Sequence, residues 1–228
     1  MNWKKKKYNK PTLLSLAILL TLGISCNSSK EGEKESRVKA LPYYQEATFT
    51  PVWVETKNET GLQGFHQIPT FRLQNQQGEW ITEQKFKNKI YITDFFFTTC
   101  PGICPKMTNN MLLLQEAFEG DEEVLLLSHS VTPNTDSVPI LANYASVKGV
   151  NAAKWDLVTG KRSEIYNLGR NFYFVEEDLG LEKEVDDFLH TENFVLVDKN
   201  RHIRGIYNGL NATAIQQLIA DVKTLQKE

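Results

Sequence analysis

Two cysteines separated by three residues, Cys100 and Cys104 in the segment TTCPGICPKM (residues 98–107), are the groups of this chain best placed to do chemistry. Thiols so close together can close a reversible disulfide or share one soft metal ion. Cys100 follows IYITDFFF (residues 90–97), a run of β-branched and aromatic residues that reads as a strand buried on both faces. Cys104 precedes Pro105, which suits a first helical turn, and Met107, Met111, Leu114, Ala117 and Phe118 then recur at helical spacing. Free backbone N–H groups and the dipole at a helix start stabilise thiolate, so depressed thiol pKa values are expected here. The bland alternatives are a structural disulfide or two thiols that merely pack. Closing so small a loop removes little chain entropy, which makes stability a weak reason for a bridge.

Two sulfurs do not close a metal site, so a third ligand is sought among the four histidines. His66 lies in the lead-in to a hairpin, His129 in an apolar strand and His202 at an exposed-looking turn, and single histidines in such places are usually surface or satisfied core. His190 stands in a polar loop just before an apolar run at residues 194–197, where the expected topology brings a loop beside the cysteines. Two thiolates with one imidazole suit Cu(I), and the added nitrogen lets the same site hold Cu(II). Zinc is the alternative metal, although it prefers four protein ligands or three with a water. The sequence contains no HExxH, GxxxxGK[ST], GxSxG or GxGxxG segment, which leaves hydrolase and nucleotide chemistry without a visible site.

The elements that must position these groups follow from patterning. Residues 70–73 and 79–81 flank the turn-forming 75–78 as a hairpin, and residues 124–131 read as a second buried strand followed by a helix over 138–147. A short helix at 164–168, a strand at 172–175, a hairpin of 194–197 with 203–207 and an amphipathic helix at 212–225 complete the chain. Strand-helix-strand alternation that ends in a hairpin and a helix predicts an α/β fold: a thioredoxin-like mixed central sheet flanked by helices, with an extra hairpin.

The first 25 residues carry five lysines and no acid, then an apolar stretch too short for a comfortable membrane span, and they end at LGIS, directly before Cys26. They read as a bacterial lipoprotein signal, with Cys26 lipidated as the new N-terminus. Residues 26–40 are polar and charged and form a flexible tether, and one domain covers 41–228. The expected location is the bacterial cell envelope, membrane-anchored through lipid with the domain outside the cytoplasm. Without residues 1–25 the chain has 21 basic and 28 acidic residues, a net charge of −7, which argues against nucleic acid and for cationic ligands.

The residues at 95–107 (FFFTTCPGICPKM), 129–145 (HSVTPNTDSVPILANYA), 155–165 (WDLVTGKRSEI) and 190–209 (HTENFVLVDKNRHIRGIYNG) give the chain a resemblance to the Sco/SenC family from residue 68 to 225. That family handles copper and is required to assemble the dinuclear copper site of cytochrome c oxidase. The resemblance implies that Cys100 and Cys104 are the metal-binding, redox-active pair and His190 the metal-binding histidine. It further implies a copper metallochaperone whose partner is the copper-receiving oxidase subunit, with thiol-disulfide oxidoreduction of that subunit or another envelope protein as the alternative. A peroxidase-like reading lacks a distant resolving cysteine once Cys26 is lipidated. Two positions depart from the family pattern: Thr132 and Leu189 stand where relatives commonly carry aspartate.

Overall fold

The computed structural model describes residues 34–54, 59–177 and 188–228, together with Met1 and Trp3. The chain divides into two units, Met1–Gly32 and Glu33–Glu228. Nearly all of the first, including Cys26 and the signal, lies outside the described residues. The second contains strands β1 (Tyr43–Tyr44), β2 (Pro51–Val52), β3 (Arg72–Asn75), β4 (Trp80–Thr82) and β5 (Ile90–Phe96), helix α1 (Cys104–Ala117), β6 (Val124–Ser130), α2 (Val138–Lys148), β7 (Trp155–Thr159), α3 (Arg162–Asn167), β8 (Asn193–Val197), β9 (Ile203–Asn208) and α4 (Ala212–Leu225).

An apolar run can be buried on both faces only in the middle of a sheet, and β5 takes that place. The strand order is β2-β1-β9-β8-β5-β6-β7-β3-β4. β5, β6 and β7 run parallel, and the strands outside them pair antiparallel. Side chains alternate across the sheet, so β5 feeds two cores. Ile90, Ile92 and Phe96 pack with Met107, Met111 and Leu114 of α1 and with Leu218 and Val222 of α4. Tyr91 and Phe95 pack on the other face with Phe71, Phe86, Leu168 and Tyr173. The expected mixed sheet flanked by helices is present, with the β3–β4 hairpin at one edge.

Two parts differ from the sequence reading. Residues 172–175 are not a strand: their backbone folds back on the preceding turn, with Tyr173 N donating to Leu168 O at 2.7 Å and Val175 N to Gly169 O at 3.0 Å. Their apolar side chains signal burial, which strands and packed turns share. The strand missed in that part of the chain is β7, fully buried beside β6.

At the end of the sheet where β5 begins, Arg204 gathers the chain. Buried in β9, it donates to Pro42 O at 3.0 Å and Leu41 O at 2.6 Å, and pairs with Asp198 at 3.2 Å and Glu228 at 2.7 Å. The Leu41 N–H donates to Glu228 Oε1 at 2.7 Å. The polypeptide therefore joins the domain at the end opposite Cys100, which follows the carboxyl end of β5.

Candidate metal and redox centre

In an open α/β sheet, ligands gather outside the carboxyl ends of the parallel strands, and both cysteines lie there. They are free thiols, Cys104 buried and Cys100 partly so. Phe97 ties them together, because its carbonyl accepts from Cys100 N at 3.4 Å and its backbone hydrogen-bonds the Cys104 sulfur. The two side chains hydrogen-bond each other.

The pair is electrostatically unequal. Burial alone would push the Cys100 thiol up, but hydrogen bonds from the backbone and side chain of Cys104 and from the backbone of Gly102 and Ile103 outweigh it and bring the thiol down. Cys104 goes the other way. Burial, with its bond to Cys100 and the charges of Cys100 and Asp94, pushes it up to about 12. The expectation that the helix start would depress both thiols therefore fails at Cys104, where desolvation beats the helix terminus.

Two buried aspartates bear on the site, Asp136 by bonding the loop and Asp94 through its charge at Cys104, and the sequence reading singled out neither. Asp136 accepts from Thr98 N at 3.1 Å, Thr98 Oγ1 at 2.5 Å, Ser130 Oγ at 2.6 Å and Thr132 Oγ1 at 3.1 Å. It thereby fixes Thr98, two residues before Cys100, to the β6–α2 connection, and gives Thr132 a definite role as donor. Asp94 is 2% exposed, on the α1 face of β5. Burial, opposed by a bond from Ser128 Oγ, raises its carboxyl to about 7. Ser128 Oγ in turn accepts from Trp155 Nε1 at 2.8 Å. An acid inside IYITDFFF was the signal for Asp94, since a buried carboxyl needs partners and shifts its pKa.

His190 is exposed, on a loop two residues beyond Phe188. Phe188, 45% exposed, meets the edge of Phe97 at 5.4 Å, which places the His190 loop against the residue that holds both sulfurs. Among the described residues no three metal-capable side chains are gathered into one cluster. The structure thus brings Cys100 and Cys104 together and leaves His190 on the adjoining loop. Leu189 is buried against Gly169 and Phe95.

The other histidines have structural surroundings. His66 Nε2 is 2.8 Å from Phe172 O. His129 is stacked on Phe95 at 4.6 Å, and burial lowers it to about 3. His202, expected at an exposed turn, is 4% exposed beneath Tyr43 and 3.5 Å from Asp198. The hairpin tip folds it inward because Asp198 accepts from its backbone N–H.

The SCO1/SenC family model matches residues 60–227. A SCO1 protein homolog of Bacillus subtilis is 30% identical over 163 residues, covering 70% of this chain and 82% of the relative. Among solved structures, a SCO1/SenC family lipoprotein from Bacillus anthracis is 29% identical, with a TM-score of 0.62, over 71% of this chain and 95% of that one. BsSco, a member of the Sco family of cytochrome c oxidase assembly proteins with a disulfide switch, gives 29% identity and a TM-score of 0.59 over 70% of this chain and 93% of its own. ScoI of Bradyrhizobium japonicum with copper bound shares the fold at 24% identity and a TM-score of 0.55, over 69% of this chain and 98% of that one.

Proposed function

The chain belongs to the SCO1/SenC family, and on that premise we propose that it is an extracytoplasmic copper carrier for cytochrome c oxidase assembly. Its cargo is bound by Cys100, Cys104 and His190. The observation that carries the reading is the unequal, touching thiol pair at the carboxyl end of β5, with the His190 loop packed on Phe97. Cys100 supplies the accessible thiolate that captures Cu(I). Cys104 gives up its proton as it joins the ion, and His190 adds the nitrogen that Cu(II) demands. Zinc fits less well, because it favours four protein ligands or three with a water, whereas two thiolates and one imidazole suit Cu(I).

The second reading, thiol-disulfide exchange, uses the same sulfurs. The Cys100 thiolate attacks a sulfur of the partner's disulfide and releases one partner thiolate. Cys104 then attacks Cys100 in the mixed disulfide. The second partner sulfur leaves, a Cys100–Cys104 disulfide remains, and two electrons have passed to the partner. An oxidised pair cannot hold copper through thiolates, so the two activities exclude each other at any instant.

His190→Ala separates them. The variant is expected to weaken Cu(I) binding modestly, to lose most Cu(II) binding and to keep disulfide exchange. The measurements are competition with a Cu(I) chelator, visible and paramagnetic resonance spectra with Cu(II), and exchange rates. Unaltered Cu(II) spectra would eliminate His190 as a ligand.

We further propose a lipid anchor at Cys26, supported by the signal that precedes it. Cys26→Ser should move the protein from the membrane fraction to the soluble one. Unchanged fractionation with an unmodified Cys26 peptide in mass spectra counts against the anchor.

A further inference from the structure

The loop carrying His190 rests on a segment with no motif of its own. After α3 the helix widens into a π-helical turn at Leu168–Phe172, a rare form that often occurs at functional positions. Beyond it, Val175 O accepts from Thr191 Oγ1 at 2.5 Å and Asn193 Nδ2 at 3.0 Å. Glu176 Oε1 accepts from His190 N at 3.5 Å, and its other oxygen pairs with Arg170 at 3.2 Å.

Between these polar ties lies one apolar contact. A Cβ built on Gly169 would stand 2.8 Å from Leu189 Cδ2 and 3.0 and 3.3 Å from Cε1 and Cζ of Phe95. The backbone of Gly169 is not in the left-handed region, so no conformational need explains the glycine. Close approach does. Phe95 has little room to retreat, because its ring is stacked on His129 at 4.6 Å and meets Tyr173 at 5.9 Å. A methyl group at residue 169 would therefore push the end of the buried Leu189 side chain out of its seat, and His190 is the next residue.

We infer that Gly169 is a positioning residue for His190: its missing side chain lets Leu189 seat against Phe95 and fixes the point from which the imidazole reaches the Cys100–Cys104 pair. This inference rests on the proposed role of His190 as a ligand.

The test compares the full chain with Gly169→Ala, Leu189→Ala, the double variant and His190→Ala. Gly169→Ala should lose about ten-fold or more in Cu(II) affinity, within the range produced by residues behind a metal ligand. Its Cu(II) resonance spectrum should change, while Cu(I) affinity falls no further than in His190→Ala and thiol exchange stays as it is. Its thermal stability should fall modestly, since overpacking the buried contact outweighs the advantage of alanine over glycine in a helical turn. Amide hydrogen exchange at residues 188–193 should quicken in the metal-free protein. Leu189→Ala added to Gly169→Ala should recover part of the lost Cu(II) binding, a non-additive pair. A wild-type Cu(II) spectrum and wild-type amide exchange in Gly169→Ala, with His190→Ala still losing Cu(II), would overturn the inference. If His190→Ala itself leaves Cu(II) unaltered, the ligand reading fails instead, and amide exchange in Gly169→Ala still decides whether Gly169 places the loop.

Discussion

Serine at residue 104 or 100 is expected to reduce Cu(I) affinity by several orders of magnitude, measured by competition with a Cu(I) chelator under reducing conditions. A hydroxyl is a hard oxygen that stays protonated, and one thiolate cannot replace two for a soft ion. The two variants should differ in rank. Cys104→Ser leaves Cys100, whose thiol is lowered, whereas Cys100→Ser leaves the buried Cys104, whose thiol lies near 12 in the intact pair. Residual binding should therefore be weaker in Cys100→Ser. The same inequality predicts that iodoacetamide modifies Cys100 before Cys104 in the parent. Because Cu(I) must displace a proton from Cys104, affinity should also rise with pH. Wild-type Cu(I) affinity in both serine variants would remove the pair as the copper site.

Asp94→Asn should stabilise the fold at pH 8. The native carboxyl titrates near 7 against an ordinary value of 3.8, so between those values the folded chain holds a proton that the unfolded chain has released. Stability therefore falls as pH rises through that window, and the penalty is complete above 7. At about 1.4 kcal/mol for each tenfold in proton affinity, removing the ionisable group is worth roughly 4 kcal/mol there and nothing near pH 4. Asparagine still accepts the Ser128 hydroxyl, so the gain is not offset by a lost bond. His129 works in the opposite sense: its native value near 3 lies below 6.5, so its contribution is present above 6.5 and is lost as pH falls. In the parent the two proton balances nearly cancel between about 4 and 6.5. In Asp94→Asn the His129 loss is exposed, and stability should decline on acidification from pH 6.5. Urea unfolding followed by circular dichroism measures both trends. Equal stabilities at pH 8 would show that Asp94 is not held protonated.

Most of the fold was legible because β5, β6, α1 and α4 have runs or spacings that only one environment satisfies. The segment at 172–175 misled because burial without a ladder leaves the same apolar trace as a strand. β1 and β2, two residues each, are too short to carry a period. At the site, the cysteines were legible from their spacing and their place between a strand and a helix. What balances them was not. Asp94 and Asp136 act through contacts across the sheet, and Gly169 through an absent side chain 20 residues before Leu189.

The join beside Arg204 sets the geometry of a leash. From Cys26 to Lys34 there are eight residues, a line of at most about 28 Å. Residues 34–39 lie along the end of α4, with Val38 against the core, so that stretch is wound in. β5, seven residues long, carries the thiols about 23 Å further from the join. Whatever holds the chain ahead of residue 34 therefore takes hold at the far end of the sheet from the thiols. The end of the sheet that carries Cys100 and Cys104 is thereby turned away from the point of attachment, which leaves it clear to meet an acceptor.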